Sequence, residues 1–495
     1  MIAYDLGLGV PGSTARYLTE PRFSSPIQTD LINNPDTGEK FPPEELLLIY
    51  NDESKETKLN EENSELKEET IKQIENVGDE LFKDDESYME VEITGQSDKI
   101  NIYQARIEIK NQGEDSKSGD SSKLNFMYKL VEELEKTKMI EAAVFNFAQT
   151  LSSSQKSFSK TSEQKMRVPQ VDQWTEPDEK KRWGQKAINL LEAWEIALRK
   201  LDGIEKVKMG ILDYAYSTSH IDLKDADYIA PESEGEGEGE DRNENFSTSW
   251  NELDEKYTSH GSGVFSIVGA DGDNDKGMAG MIWQAKFTCY GSYYLSDKLD
   301  VVLDAIDREI RVLNVSMGPN WGRVGNEDKY CERSHKRREK LWRQVIEHAK
   351  DNGLLLIFAA GNNNNLPPEK IPPASLAKEY DNLISVGAVN QELDKIYTTG
   401  AGVSIYAPGL SVWSARSYRG MWEVFDEPYD FSSGTSYAAP FVTGTAGLML
   451  SVNPELTPGE VKEILQETSK APHGSTKKNG ILDAEKAVER ALKLR

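Results

Sequence analysis

Four side chains in this sequence, Asp213, His260, Asn362 and Ser436, are of the types needed to make a hydroxyl attack a carbonyl, and each adjoins an apolar stretch. A hydroxyl is a poor nucleophile until a base takes its proton. An imidazole acting as that base needs a buried carboxylate to fix its tautomer and stabilise its cation, and an amide donor beside the reacting carbonyl stabilises the oxyanion. Ser436 is therefore read as the nucleophile, His260 as the base and Asp213 as the orienting carboxylate. Asn362 is read as the oxyanion donor, with the backbone N–H of Ser436 as the second.

Each residue needs an element to hold it. Ser436 opens the stretch 431–450, an almost wholly apolar helix of small residues; Gly434 frees the backbone before it, and Ala438, Ala439, Gly444, Ala446 and Gly447 suit packing on several sides. Pro440 is expected in the first helical turn, where its missing N–H costs nothing. The positive end of the helix dipole then favours negative charge developing beside Ser436. Alone, a Gly-Thr-Ser would read as an ordinary N-cap; the other three residues decide against that. Asp213 closes the apolar strand 207–213, His260 begins the segment 260–270, and Asn362 follows the strand 354–360.

Composition narrows the partners. With 495 residues there is room for two or three domains and a large core, and two cysteines in so long a chain fit a reducing compartment. The formal charge of −27 repels nucleic acid and anionic membranes, so neither is expected as a partner. The basic run from Arg333 to Arg343 falls in a helical pattern and is read as a solvated face. The first residues lack a basic stretch followed by an apolar one, and no apolar run is long enough to span a membrane. A cytoplasmic location is the expectation.

Along the chain, residues 1–40 form an irregular arm. Residues 41–151 alternate strands at 45–50, 88–93, 100–109 and 140–147 with helices at 61–82 and 126–136, in the order β-α-β-β-α-β of a small α+β, ferredoxin-like domain. Residues 152–172, rich in Ser, Lys and Gln, read as an exposed linker and a candidate cleavage site. From 173 to 495 strands and helices alternate, which predicts an α/β domain: a mostly parallel sheet with helices on both faces and the site at the strands' C-terminal ends. The acidic, glycine-rich stretch 231–246 is a solvated loop insertion.

In the order Asp, His, Asn, Ser, the four segments resemble the subtilisin-like serine proteases, the subtilases of peptidase family S8. The resemblance extends through Trp183–Asn189, Glu192–Ile196, Asp273–Gly277 with Gly280, Asn314–Gly318, Ile384–Val389, Tyr406–Gly409 and Asn479–Ala484, so it covers residues 173–490. It implies a serine endopeptidase acting on protein or peptide substrates through an acyl-enzyme on Ser436. It also implies a substrate cleft lined by Asn314, Ser316, Met317, Gly318, Ala359, Ala360 and Gly361, and a role for the first domain as a propeptide and intramolecular inhibitor whose tail includes Val144–Leu151. No cofactor is required. Calcium is a candidate structural ion, because Asp271, Asp273 and Asp275 alternate as at the start of a calcium loop; the twelfth position, Ile282, is not acidic. His220 recurs in the family as a structural residue near the Asp.

Departures from the family pattern are specific. Tyr214 and Ala215 stand where Thr or Ser and then Gly are usual, Gly263 where many members have a second His, Ser266 where Gly is common, and Tyr437 where Met is usual. Two other readings share this chemistry in part. One is a protease homologue that binds peptides without cutting; the other is a ligase or cyclase that passes the acyl group to an amine, and product mass separates it from a hydrolase.

Overall fold

The computed structural model describes residues 16–17, 32–33, 40–41, 45–50, 64–81, 87–97, 100, 102–111, 120–137, 139–146, 180–198, 206–217, 220, 222–223, 226–230, 251–272, 277–282, 285–292, 295–317, 329–362, 372–397, 402–416, 428–471 and 479–495. The linker 152–172, the acidic stretch 231–246, Asp273, Asp275 and Gly318 lie outside the described residues.

The first unit contains β1 (Glu45–Tyr50), α1 (Ser64–Leu81), β2 (Ser87–Ser97), β3 (Ile102–Asn111), α2 (Asp120–Leu134) and β4 (Ile140–Phe145). Its antiparallel sheet runs β2-β3-β1-β4. β1 is a continuous apolar run after its first residue because it is central and wholly buried. Glu45 is buried there at a cost that its bonds offset: it accepts from Gln104, Arg106 and Asn146.

The second unit contains α3 (Leu190–Leu198), β5 (Lys208–Asp213), β6 (Ala226–Ala230), α4 (Asn251–Gly269), β7 (Lys286–Gly291), α5 (Leu295–Asp307), β8 (Val312–Val315), α6 (Lys329–Asp351), β9 (Leu355–Ala359), β10 (Leu383–Val389), β11 (Ile405–Pro408), β12 (Val412–Ala415), β13 (Tyr429–Ser432), α7 (Thr435–Val452), α8 (Pro458–Thr468) and α9 (Ala484–Lys493). Strands β6-β7-β5-β8-β9-β10-β11 pair in parallel in that order, and β12 and β13 form a separate antiparallel hairpin. Alternate residues serve two cores: Met209, Ile211 and Ile357 pack with α3, α4 and α7, whereas Leu212, Leu356 and Phe358 pack with α5 and α6. Helices thus cover both faces, as the sequence pattern predicts.

Between β5 and β8 the winding direction reverses, which leaves a crevice at the C-terminal ends of these strands. Val315 pairs with Leu212 and Phe358 with Val315, so Asp213, Ser316 and Ala359 lie level along that edge. Three candidate segments converge on it by register alone. No described helix is long and apolar enough to cross a membrane.

The basic run departs from its expectation. Far from being a solvated face, α6 presents Arg337 and Lys340 to the first unit: Arg337 makes a bidentate pair with Glu135 at 2.6 and 2.8 Å, and Lys340 pairs with Glu141 at 3.3 Å. Arg337 is buried there, because Glu135 of the first unit supplies the counter-charge that water otherwise gives. At the same junction Asn146 donates to Ser296 Oγ and accepts from Ser296 N, both at 3.0 Å, so a residue 150 positions away caps α5. Replacing Arg337 by Ala leaves Glu135 facing this junction without its partner. A loss of about 1–3 kcal/mol is expected in the unfolding free energy measured by denaturant titration, with Arg337→Lys recovering only part of it.

Candidate functional site

Asp213 ends β5 with its side chain wholly buried, and its Oδ1 lies 2.7 Å from His260 Nδ1. The same oxygen accepts the backbone N–H of Tyr214 at 2.8 Å. His260 lies within α4, ten residues from its start, and the glycines after it do not break that helix. Gly261 permits a close approach instead: a Cβ there would lie 2.1 Å from Ala215 O. Ser262 accepts from Ser217 N at 2.8 Å, which ties the chain leaving Asp213 to the helix carrying His260.

Ser436 is the second residue of α7, whose remaining length is almost entirely buried against β8 to β11. Pro440 is not in the first turn, as its position relative to the nucleophile led one to expect; it is the sixth helical residue. The carbonyl it deprives of an i+4 donor is that of Ser436 itself. Ser316 Oγ replaces the missing donor at 2.8 Å. That hydroxyl accepts from Asn314 Nδ2 at 2.9 Å, and Asn314 Oδ1 accepts from Thr443 Oγ1 at 2.9 Å. A directed chain of hydrogen bonds therefore runs from the middle of α7, across the end of β8, to the backbone of Ser436. The side chains of Asn314 and Ser316 are consumed by this task and are buried.

The helix entrance is fixed a second time from β9. Asn362 Oδ1 accepts Thr435 N at 2.8 Å and Thr435 Oγ1 at 3.0 Å, while the threonine hydroxyl accepts Gly361 N at 3.1 Å. With its oxygen so engaged, the Asn362 amide offers its Nδ2 as donor. Gly434, at φ 147°, brings the backbone alongside; a Cβ there would sit 3.3 Å from that nitrogen. Of the other residues expected to line a cleft, Met317 and Ala360 are buried and Ala359 and Gly361 half-buried, all at the strand ends, while Gly318 lies outside the described residues.

Aromatic and polar groups surround the Asp213–His260 pair. Tyr214 and Tyr437 both meet the His260 imidazole edge to face, with centroids 5.8 and 5.3 Å away. Lys298 on α5 is fully buried; burial pushes its ammonium down to about 7, against the pull of Asp297 and Asp213. It donates to Ser292 Oγ at 3.3 Å, and Ser292 N donates to Asp213 O. His220 is buried at the crevice edge, with Nε2 at 2.9 Å from Pro428 O and Nδ1 accepting Asp222 N at 3.2 Å. Among the described residues no group of three or more His, Cys, Asp or Glu side chains could hold a metal ion.

The sequence alone did not expose Thr443, Thr435 or the two-part anchoring of α7. One signal was there: a proline four residues after the nucleophile marks its carbonyl as needing an outside donor. A family model described as the subtilase family matches residues 205–486, more than half of the chain. The chain belongs to the subtilase family. Subtilisin DY of Bacillus licheniformis is 27% identical over 293 residues, covering 57% of this chain and 90% of its own length. Thermitase of Thermoactinomyces vulgaris is 27% identical over 284 residues, covering 55% and 82%. A thermophilic serine proteinase of Bacillus sp. (strain AK1) is 28% identical over 219 residues, covering 43% of this chain and 47% of that one; the chain thus spans about half the length of this relative.

Two outcomes follow for this subtilase. Ser316→Ala orphans the Ser436 carbonyl, so stability should fall by about 1–3 kcal/mol in denaturant unfolding, and kcat should fall with it. Burial holds the His220 imidazole below the usual 6.5, opposed by its bond to Pro428 O and the charge of Asp222. Its contribution is full above the unfolded value and is lost as pH falls through the folded one. Between about pH 7.5 and about pH 5, Tm should therefore drop further in the wild type than in His220→Gln.

Proposed function

We propose that this subtilase is a serine endopeptidase, made as a zymogen, that hydrolyses peptide bonds through an acyl-enzyme on Ser436. The observation that carries the reading is the pairing of His260 with a buried Asp213 beside a nucleophile helix anchored by Asn362. In this reading His260 Nε2 takes the Ser436 proton as Oγ attacks the substrate carbonyl. Nδ1 stays on Asp213, which stabilises the imidazolium without accepting its proton. The oxyanion forms toward Asn362 Nδ2 and the Ser436 N–H at the positive end of α7. His260 then protonates the leaving amine, and water repeats the sequence on the ester. An extended peptide substrate would add as a strand along the chain at 315–318 and 359–361.

The first unit, residues 41–151, acts in this proposal as an intramolecular inhibitor. Its support is the polar junction: the Asn146 cap on α5, the Arg337–Glu135 pair, and an apolar cluster continuous from Leu46 and Leu130 to Leu299 and Leu341. Asn146, held at the start of α5, is then close to the crevice, since Ser292 just before that helix is bonded to Asp213. Calcium, if a structural ion here, would be held by the segment around Asp273 and Asp275.

Intact mass of the wild type and of Ser436→Ala, expressed side by side, tests the proposal. A fragment ending between Phe147 and Val171 should be lost only from the wild type. Loss from both would place the cut with another enzyme, and full-length chains in both, with no hydrolysis of a peptide library, would remove the zymogen reading.

A further inference from the structure

Four of the five residues that depart from the family pattern, Tyr214, Gly263, Ser266 and Tyr437, belong to one contact set beside His260. Tyr214 follows Asp213 on the end of β5; Tyr437 follows Ser436 on α7. Their rings approach the imidazole at interplanar angles of 76° and 62°, and all three side chains are buried. Gly263, one turn beyond His260 on α4, makes room for the second ring. A Cβ at 263 would stand 3.0 Å from Tyr437 Cε1, 3.2 Å from Ala415 O and 3.2 Å from Ser414 Oγ. The far wall cannot retreat easily, because Ala415 N is held by Ser266 Oγ at 2.9 Å and Ser266 Oγ donates to Gly263 O at 2.8 Å. The phenol of Tyr437 bonds to Ser432 on β13, so its ring is fixed at both ends.

We propose that Tyr437, together with Tyr214, is a positioning residue for His260, and that Gly263 and Ser266 shape the slot that admits it. An imidazole that must hold Nδ1 on Asp213 while Nε2 exchanges a proton with Ser436 needs its ring plane fixed, and two aromatic rings do this without competing for either nitrogen. They also shield the Asp213–His260 pair from water and offer π-electrons to the transient imidazolium. The ring is what matters, not the hydroxyl.

The kinetic part of this inference rests on the acyl-enzyme reading, so its test has one arm that needs no turnover. In the Ser436→Ala chain, the far-downfield proton resonance of the His260 Nδ1–H bonded to Asp213 should be sharp. It should persist in Tyr437→Phe and broaden or vanish in Tyr437→Ala, with Tm reported alongside to separate unfolding from local release. In the wild-type chain, Tyr437→Ala should lower kcat by about 10- to 100-fold with little change in KM, and Phe should restore most of it. Gly263→Ala should produce a similar fall, not additive with Tyr437→Ala, since the added Cβ displaces the ring that the second variant deletes. An unchanged resonance in a folded Tyr437→Ala chain, or its absence from the Ser436→Ala parent, overturns the proposal. Additive losses or a Phe variant as impaired as Ala would do the same. A wild type that neither cuts nor acylates would defeat the enzyme reading instead, and the resonance would still decide the positioning role.

Discussion

The site depends on one carbonyl that its own helix cannot satisfy. Pro440 removes the donor for the Ser436 C=O, and leaving that oxygen unpaired would cost about as much as a lost hydrogen bond. Supplying the donor from Ser316 turns a defect into a joint between α7 and the end of β8. Asn362 makes the matching joint from β9 to Thr435. Between them the first turn of α7 is pinned to two neighbouring strands, so Ser436 inherits the rigidity of the parallel sheet. A helix placed by apolar packing alone has no such means of fixing its rotation, because small residues pack almost equally well in several rotations.

The same economy of position governs the base. His260 sits inside a helix rather than at its end, which demands unusually close approaches at Gly261 and Gly263. These glycines lower helix propensity, yet the helix persists because its apolar face, Val264, Phe265, Ile267 and Val268, is buried against the sheet. Local preference yields to packing where the chemistry requires contact. The junction between the two units shows a related exchange: Arg337 on α6 is buried, and its cost is offset by the Glu135 carboxylate of the first unit instead of by water.

Much of this was legible beforehand. The strands 45–50 and 207–213 fall within a residue of their observed bounds because both are continuous apolar runs, and the pairing of Asp213 with His260 was anticipated from residue type and neighbourhood. Strand 286–291 and helix 295–307 were not foreseen. The first mixes Thr, Cys and Gly into its apolar pattern, and the second carries Ser, Asp and Lys at positions that become buried only because other elements cover them. The same blindness to tertiary partners explains the reading of Arg337 as solvated. A sequence displays charge, but not the surface that will face it.

The central claim is that Ser436 is activated by His260 at the anchored start of α7. Covalent labelling of the native wild-type chain with a fluorophosphonate, followed by peptide mapping, tests it most directly. The account predicts a single adduct on the peptide carrying Ser436, formed rapidly in the wild type and lost in His260→Ala. An adduct on a different residue, or equal labelling with and without His260, would contradict it.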